Sequence, residues 1–210
     1  MNTKKIILLV IAMIVITGCE RKTAYYYYEK GMECTYKKDY ECAVKYYSYA
    51  IESDKKKTQF TNPSQLYAYR GRSYHFLYKY GDALADYNTA LSIDDKNIDA
   101  YFGRGRTLST MCSYDLSIKD YNTAICMNDT NSSYYFWRGI AYKRWKKYDS
   151  AIADFNLAIK FDSNYAECYY ERGISYQKIN MLDSAFTDFK KAAALGDIDA
   201  IEELKKYEKD

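Results

Sequence analysis

The residues best suited to chemistry in this chain recur as couples. Arg70 and Asp86 come back as Arg104 and Asp120, as Arg138 and Asp154, and as Arg172 and Asp188. A row of carboxylates could serve as general acids or bases. Nothing beside these supplies a nucleophile, a metal ligand set or an oxyanion donor, so the couples read as ion pairs that recur because their surroundings recur. His75 is the one histidine, with no partner for a metal pair and no triad around it. There is no G-x-x-x-x-G-K-[ST], no G-x-S-x-G and no H-E-x-x-H. Six cysteines occur without a C-x-x-C pair, which removes the usual zinc spacing. The expectation is a chain with no catalytic residues, no metal and no cofactor. Its net charge is +3, about +1 once Lys4 and Lys5 are set aside as part of a cleaved leader. That is too little basic excess for non-specific nucleic-acid binding.

The couples ride on a longer repeat. Leu66-Tyr67-Ala68-Tyr69-Arg70-Gly71 is echoed by Phe102-Gly103-Arg104-Gly105, Phe136-Trp137-Arg138-Gly139 and Tyr170-Glu171-Arg172-Gly173. Gly71, Gly105, Gly139 and Gly173 are spaced by 34 residues each time. A second phrase, Ala83 to Ala90 with Asp86-Tyr87 at its centre, keeps step as Asp120-Tyr121, Asp154-Phe155 and Asp188-Phe189. Within a repeat, Tyr135, Gly139 and Tyr142 form one apolar stripe of helical spacing, and Ala151, Phe155, Ala158 and Ile159 form another. Each repeat is therefore expected to be two antiparallel helices joined by a short charged turn, with Gly139 facing Ala151 where the backbones approach. The single proline and few glycines agree with an all-helical fold.

With the glycine as position 8, the repeats run 24–57, 64–97, 98–131, 132–165 and 166–199. The first is degenerate. Six extra residues precede the second, and Asp54–Gln65, with its lysine run and Pro63, is expected to be a loop. Asp197 is expected to cap a last polar helix within 197–210, with Ile201, Leu204 and Tyr207 turned inward, the solvating end that a solenoid needs. The pattern aromatic-4, Gly-8, aromatic-11, Ala-20, aromatic-24, Ala-27 resembles the tetratricopeptide repeat (TPR). It departs in having tyrosine in the tryptophan slot throughout and Leu108 and Ser117 in repeat three. The resemblance implies a right-handed superhelical solenoid of helix–turn–helix repeats with a capping helix. It also implies peptide binding in a groove lined by first-helix positions 2, 5, 9, 12 and 13, with 6 nearby.

In this chain those positions bring Tyr28, Tyr69, Phe102, Phe136, Trp137 and Tyr170 as an aromatic floor, with His75 and Phe76 beside it. Arg72, Arg106, Lys143 and Arg144 form a basic middle. Arginine beside aromatics is a typical interface composition. The family's lysine and asparagine clamp for chaperone tails is absent, so the expected partner is an acidic segment with apolar anchors. Nothing here sets the oligomeric state.

The N-terminus carries a second resemblance. A basic start, the apolar run Ile6–Ile16 and then Ile16-Thr17-Gly18-Cys19 are similar to the lipobox of bacterial lipoproteins. The run is short for a membrane span. The resemblance implies removal of 1–18 as a signal peptide and acylation of Cys19, since two or three chains hold a membrane stably where one does not. Residues 19–23 would be a tether reaching only about 14 Å. Glu20, by the same resemblance, points to the outer rather than the inner membrane. In that oxidising compartment Cys34 and Cys42, on opposite helices of the first hairpin near its turn, are the best candidate disulfide, whereas Cys112, Cys126 and Cys168 read as buried small hydrophobes. The function expected is a membrane-anchored, non-catalytic scaffold in the bacterial cell envelope. The alternative is a structural or host-contact surface lipoprotein.

Overall fold

The computed structural model describes residues 23–55 and 62–207. The leader, Cys19 and most of the tether lie outside these residues. The described chain forms helices and no strand. In order they are α1 (Ala24–Tyr36), α2 (Tyr40–Lys55), α3 (Pro63–Phe76), α4 (Tyr80–Ile93), α5 (Ile98–Thr110), α6 (Tyr114–Met127), α7 (Ser132–Arg144), α8 (Tyr148–Phe161), α9 (Ala166–Lys178), α10 (Leu182–Ala194) and α11 (Ile198–Tyr207). They pair as antiparallel hairpins, and α11 packs on α10. This is a TPR solenoid.

Helix starts follow from local chemistry. Thr23, Asn97, Asn131 and Asp197 accept from the backbone N–H of Tyr26, Ala100, Ser133 and Ala200 at 3.2, 2.9, 3.0 and 2.8 Å, satisfying donors that a helix start leaves free. Pro63, expected in a loop, instead opens α3, where its fixed φ suits the first turn and its missing N–H costs nothing. Each hairpin turns through one left-handed residue, Lys38, Tyr78, Cys112, Lys146 or Asn180, with φ between 59° and 63°. Only asparagine among these tolerates that region readily.

The core of each hairpin is an aromatic ring from the second helix, Tyr47, Tyr87, Tyr121, Phe155 or Phe189, laid against the first helix. Burying such a ring contributes roughly 2–3 kcal/mol. The ring explains the repeated glycine. A methyl on Gly139 would sit 2.7 Å from Phe155 Cε1, so the gap accommodates this ring rather than Ala151. In repeat three Ser117 replaces alanine, and its hydroxyl donates to Gly105 O at 2.8 Å, which makes a polar residue acceptable in the core.

The arginine–aspartate couples join each hairpin to the one before it. Arg138 Nε and Nη2 donate to Asp154 Oδ2 and Oδ1 at 2.8 and 2.6 Å, and its Nη1 donates back to Asn122 Oδ1 at 2.6 Å. Arg104 does the same with Asp120 and Asn88, Arg172 with Asp188 and Asn156, and Arg70 with Asp86 and Ser48. The first helices of repeats two, three and four each pack on the first helix of the next repeat, whereas second helices of adjacent repeats make no comparable contact among the described residues. The first helices therefore form the inner face of the superhelix. At the far end, α11 buries Ala200, while Ile201 stays 41% exposed and does not turn inward as expected. Its place one residue after the buried alanine rotates it off the contact stripe. Leu204 is half-buried, and the side chain of Tyr207 lies outside the described residues.

Candidate functional site

On the inner face, α3 and α5 enclose a cavity of about 140 Å³. Tyr69, Arg72 and His75 come from one face of α3, three residues apart at each step, and Asp99, Phe102, Gly103 and Arg106 come from one face of α5. Ala68 and Tyr87 close it from below. Gly103 makes room for the Tyr87 ring that forms the cavity's base. It occupies position 6, where the repeats around it carry Tyr69, Trp137 and Glu171. No side chain fits there, since a methyl on Gly103 would come within 2.5 Å of the Tyr87 ring.

The two arginines differ from those of the repeated couples. Among the described residues, no carboxylate lies within 4 Å of Arg72 or Arg106. Aromatic faces hold them instead. The Arg106 guanidinium carbon is 4.2 Å from the Trp137 ring centroid and 5.6 Å from that of Phe76. Arg72 lies 5.1 Å from the Tyr69 centroid. Burial pulls the Arg106 pKa below its ordinary value, yet a guanidinium remains a cation throughout the accessible pH range. Its Nε is buried without a hydrogen-bond partner, as are Ser109 Oγ and Tyr121 OH. All three belong to the α5–α6 hairpin that forms one wall of the cavity. Unpaired buried polar atoms are rare in native structures and often mark a site under functional constraint.

His75 is neutral at physiological pH. Burial and the nearby Arg106 charge lower its pKa to about 4. Its Nδ1 lies 3.0 Å from Thr107 Oγ1, and that hydroxyl donates to Gly103 O at 2.9 Å. With the threonine hydrogen so directed, Nδ1 carries the imidazole proton and donates to Thr107. The phenols of Tyr69 and Tyr87 are both raised, chiefly by burial. Burial, then Tyr28 and Asp99, push the Tyr69 phenol up to about 12.

Several expected groove residues are placed differently. Phe136 is 1% exposed and belongs to the core, with its ring centroid 5.9 Å from Phe155 and 4.7 Å from Tyr165. Its neighbours in the same slot, Tyr28, Phe102 and Tyr170, are half-buried against Tyr47, Tyr121 and Phe189. Position 5 is thus a seam between helices more than a floor. Lys143 pairs with Glu171 of the next repeat, so the basic patch does not run on through it. Arg144 is exposed at the end of α7. Phe76 remains at the surface, its ring 4.5 Å from and parallel to that of Tyr40. Cys34 and Cys42 stand with Cα atoms 5.7 Å apart and sulfurs at bonding distance. Cys168 is buried as expected, but Cys112 and Cys126 are exposed. Cys112 sits at the left-handed turn residue, outside both helical stripes. Asp99, Tyr87 and Gly103 line the cavity without having been among the expected site residues. The signal for them was Gly103 itself, a glycine out of step with the period.

Residues 146–180 match the TPR repeat family. No curated protein matches the chain in sequence. Solved structures do match in fold. A crystal structure of MamA protein is 22% identical with a TM-score of 0.66, covering 89% of this chain and 96% of that one. MamA 41-end from Desulfovibrio magneticus RS-1 is 17% identical with a TM-score of 0.70, covering 82% and 94%. YrrB, a TPR protein with an unusual peptide-binding site, is 20% identical with a TM-score of 0.65, covering 89% and 94%. These likenesses concern the fold.

Proposed function

We propose that this TPR protein is a non-catalytic scaffold whose inner face holds an acidic segment of a partner protein. The observation that carries the reading is the pair of ring-stacked guanidiniums, Arg72 and Arg106, on adjacent first helices without carboxylate partners among the described residues. Side chains already ordered by aromatic faces lose little freedom on binding. Phe76, at the groove surface, and the accessible parts of Tyr69 and Phe102 offer apolar contact beside them. A TPR neighbour of known structure, YrrB, has a peptide-binding site.

The scaffold is proposed to sit in the bacterial cell envelope, held at the outer membrane by lipid on Cys19. The support is the basic start, apolar run and Gly18-Cys19 of the leader. No helix among the described residues is long and apolar enough to cross a membrane. A host-contact surface lipoprotein is the second reading, and the observation favouring it is the outward display of Tyr36 and Tyr78, 91% and 80% exposed.

Capture from envelope extract tests the groove. Wild type should retain a partner that the double variant Arg72→Glu, Arg106→Glu loses at unchanged helical content. Equal capture by both would overturn the groove reading. Fractionation tests the anchor: Cys19→Ser should leave the membrane fraction or remain unprocessed, and an unmodified Cys19 in the mature wild type would sink it. Protease shaving of intact cells separates the two readings, since only a surface protein is cleaved.

A further inference from the structure

The cavity between Arg72 and Arg106 has a size and a charge of its own, and these say more than that the groove is basic. Its volume, about 140 Å³, is close to that of an engineered cavity that holds benzene, roughly 150 Å³. It therefore has room for one short side chain and not for a run of backbone. Two guanidiniums line it, and one carboxylate, Asp99, opposes them. His75 faces it in the neutral form. The surplus is one positive charge. A single carboxylate balances that surplus, whereas a phosphate dianion would exceed it and face Asp99.

We propose that this cavity is an acid pocket that takes one glutamate or aspartate side chain of the bound segment between Arg72 and Arg106. The proposal rests on the groove reading and specifies which chemistry it selects. Arg106 is preset for it. Trp137 and Phe76 hold the guanidinium plane, and its buried Nε has no hydrogen-bond partner among the described residues. A planar fork held in this way suits a carboxylate better than a free ammonium would. Gly103, where Tyr69 and Trp137 occupy the corresponding slots on either side, lets the Tyr87 ring lie against α5 as the base of the cavity. Thr107, Tyr80 and Tyr87 are the other polar groups around His75, from α5 and α4.

His75 supplies a reporter because the chain has no other histidine. Burial is the main reason this imidazole stays neutral and the Arg106 charge adds to it, so an anion seated beside Arg106 offsets that second part. The experiment titrates the His75 imidazole resonance by NMR in the full chain. The probes are N-acetyl-glutamate amide, N-acetyl-glutamine amide and inorganic phosphate at one ionic strength, with the glutamate amide and phosphate matched in concentration of the ionised form, since near pH 4 the glutamate side chain is about half protonated and phosphate is a monoanion. With the glutamate amide, the midpoint should rise from about 4 by roughly one unit, as an opposite charge at close range requires. The glutamine amide should leave it unchanged. One unit corresponds to about tenfold tighter carboxylate binding to the protonated site than to the neutral one. Arg106→Gln should abolish the response, and Arg72→Gln, which breaks only the contact with Tyr69, should weaken it in a chain of normal helicity.

Equal behaviour of the glutamate and glutamine amides would overturn the acid pocket. So would a larger shift with phosphate than with the glutamate amide, which would assign the cavity to a phosphate. If the glutamate amide has no effect while Arg72→Glu with Arg106→Glu still loses the partner, the groove reading stands and the acid pocket falls. If neither experiment responds, both fall.

Discussion

Arg106 and Trp137 meet across the seam between α5 and α7, the guanidinium carbon 4.2 Å from the indole centroid. The contact crosses from one repeat to the next, so it sets the side chain's direction and joins two repeats at once. Cation–π contacts of this kind contribute about 1 kcal/mol when partly desolvated. Trp137→Leu keeps an apolar side chain but removes the ring face. Partner affinity should fall about fivefold, the equivalent of that energy, mostly through faster dissociation. Surface-captured protein with the retained partner as analyte gives the rates. An unchanged off-rate would show that the indole does not order Arg106 for binding.

The couple of Arg138 with Asp154 separates stability within a repeat from stability between repeats. Asp154→Ala strands a buried guanidinium and should cost roughly 3 kcal/mol in urea denaturation. Asn122→Ala removes only the bond to the preceding repeat and should cost about 1 kcal/mol. If both substitutions cost the same, the hydrogen bond between repeats counts for more than its exposed position suggests.

Gly139→Ala is a clean test of ring-against-helix packing. Alanine gains about 1 kcal/mol of helix propensity over glycine. Here its methyl would lie 2.7 Å from Phe155 Cε1 and 3.0 Å from Cδ1, so the variant should lose roughly 2 kcal/mol net by overpacking. Adding Phe155→Leu should recover part of that loss. A raised melting temperature for the single variant would mean that the ring moves aside freely.

His75 makes stability depend on pH. Its folded pKa of about 4 lies below the ordinary histidine value of roughly 6.5. As pH falls, the unfolded chain therefore takes up this proton first, and stability declines. The decline begins near pH 6.5 and is complete below about pH 4. His75→Asn should remove this component. The wild-type-minus-variant difference in unfolding free energy should shift by about 2 kcal/mol between neutral and acid pH, allowing for partial exposure of the ring. A pH-independent difference would mean that His75 titrates normally in the fold.

Thiol labelling without reductant should sort the cysteines by environment. Cys112 and Cys126 are exposed and should react in the native protein, whereas Cys168 is buried and should react only on unfolding. Cys34 and Cys42 should stay unlabelled until reduced. Closing a loop with a sequence separation of 8 would contribute roughly 2 kcal/mol by chain entropy. Alkylation of both before reduction would exclude the bridge.

The periodic features of this protein were legible without coordinates because each depends on neighbours in the same helix or hairpin. The glycine at position 8 of each repeat, the aromatic at position 24 and the small residue at 20 specify paired helices that bury one stripe each. The arginine and aspartate of each couple could be read as an ion pair from their recurrence alone. Their third partner, Asn122 or its equivalents, could not, because it comes from the preceding repeat and pairs only once the repeats stack.

The site divides in the same way. Residue type and position offered four basic groove candidates, and the tertiary structure decided between them. Lys143 meets Glu171 from the next first helix and is neutralised, whereas Arg106 meets Trp137 and keeps its charge without a carboxylate partner. Phe136 and Phe102 share one slot in the repeat, yet Tyr165 covers the first while the second borders the cavity between α3 and α5. A repeat determines which way a side chain sets out from its own helix. What that side chain meets is set by the non-repeating residues of the neighbouring helix, brought within range only when the solenoid closes its seams.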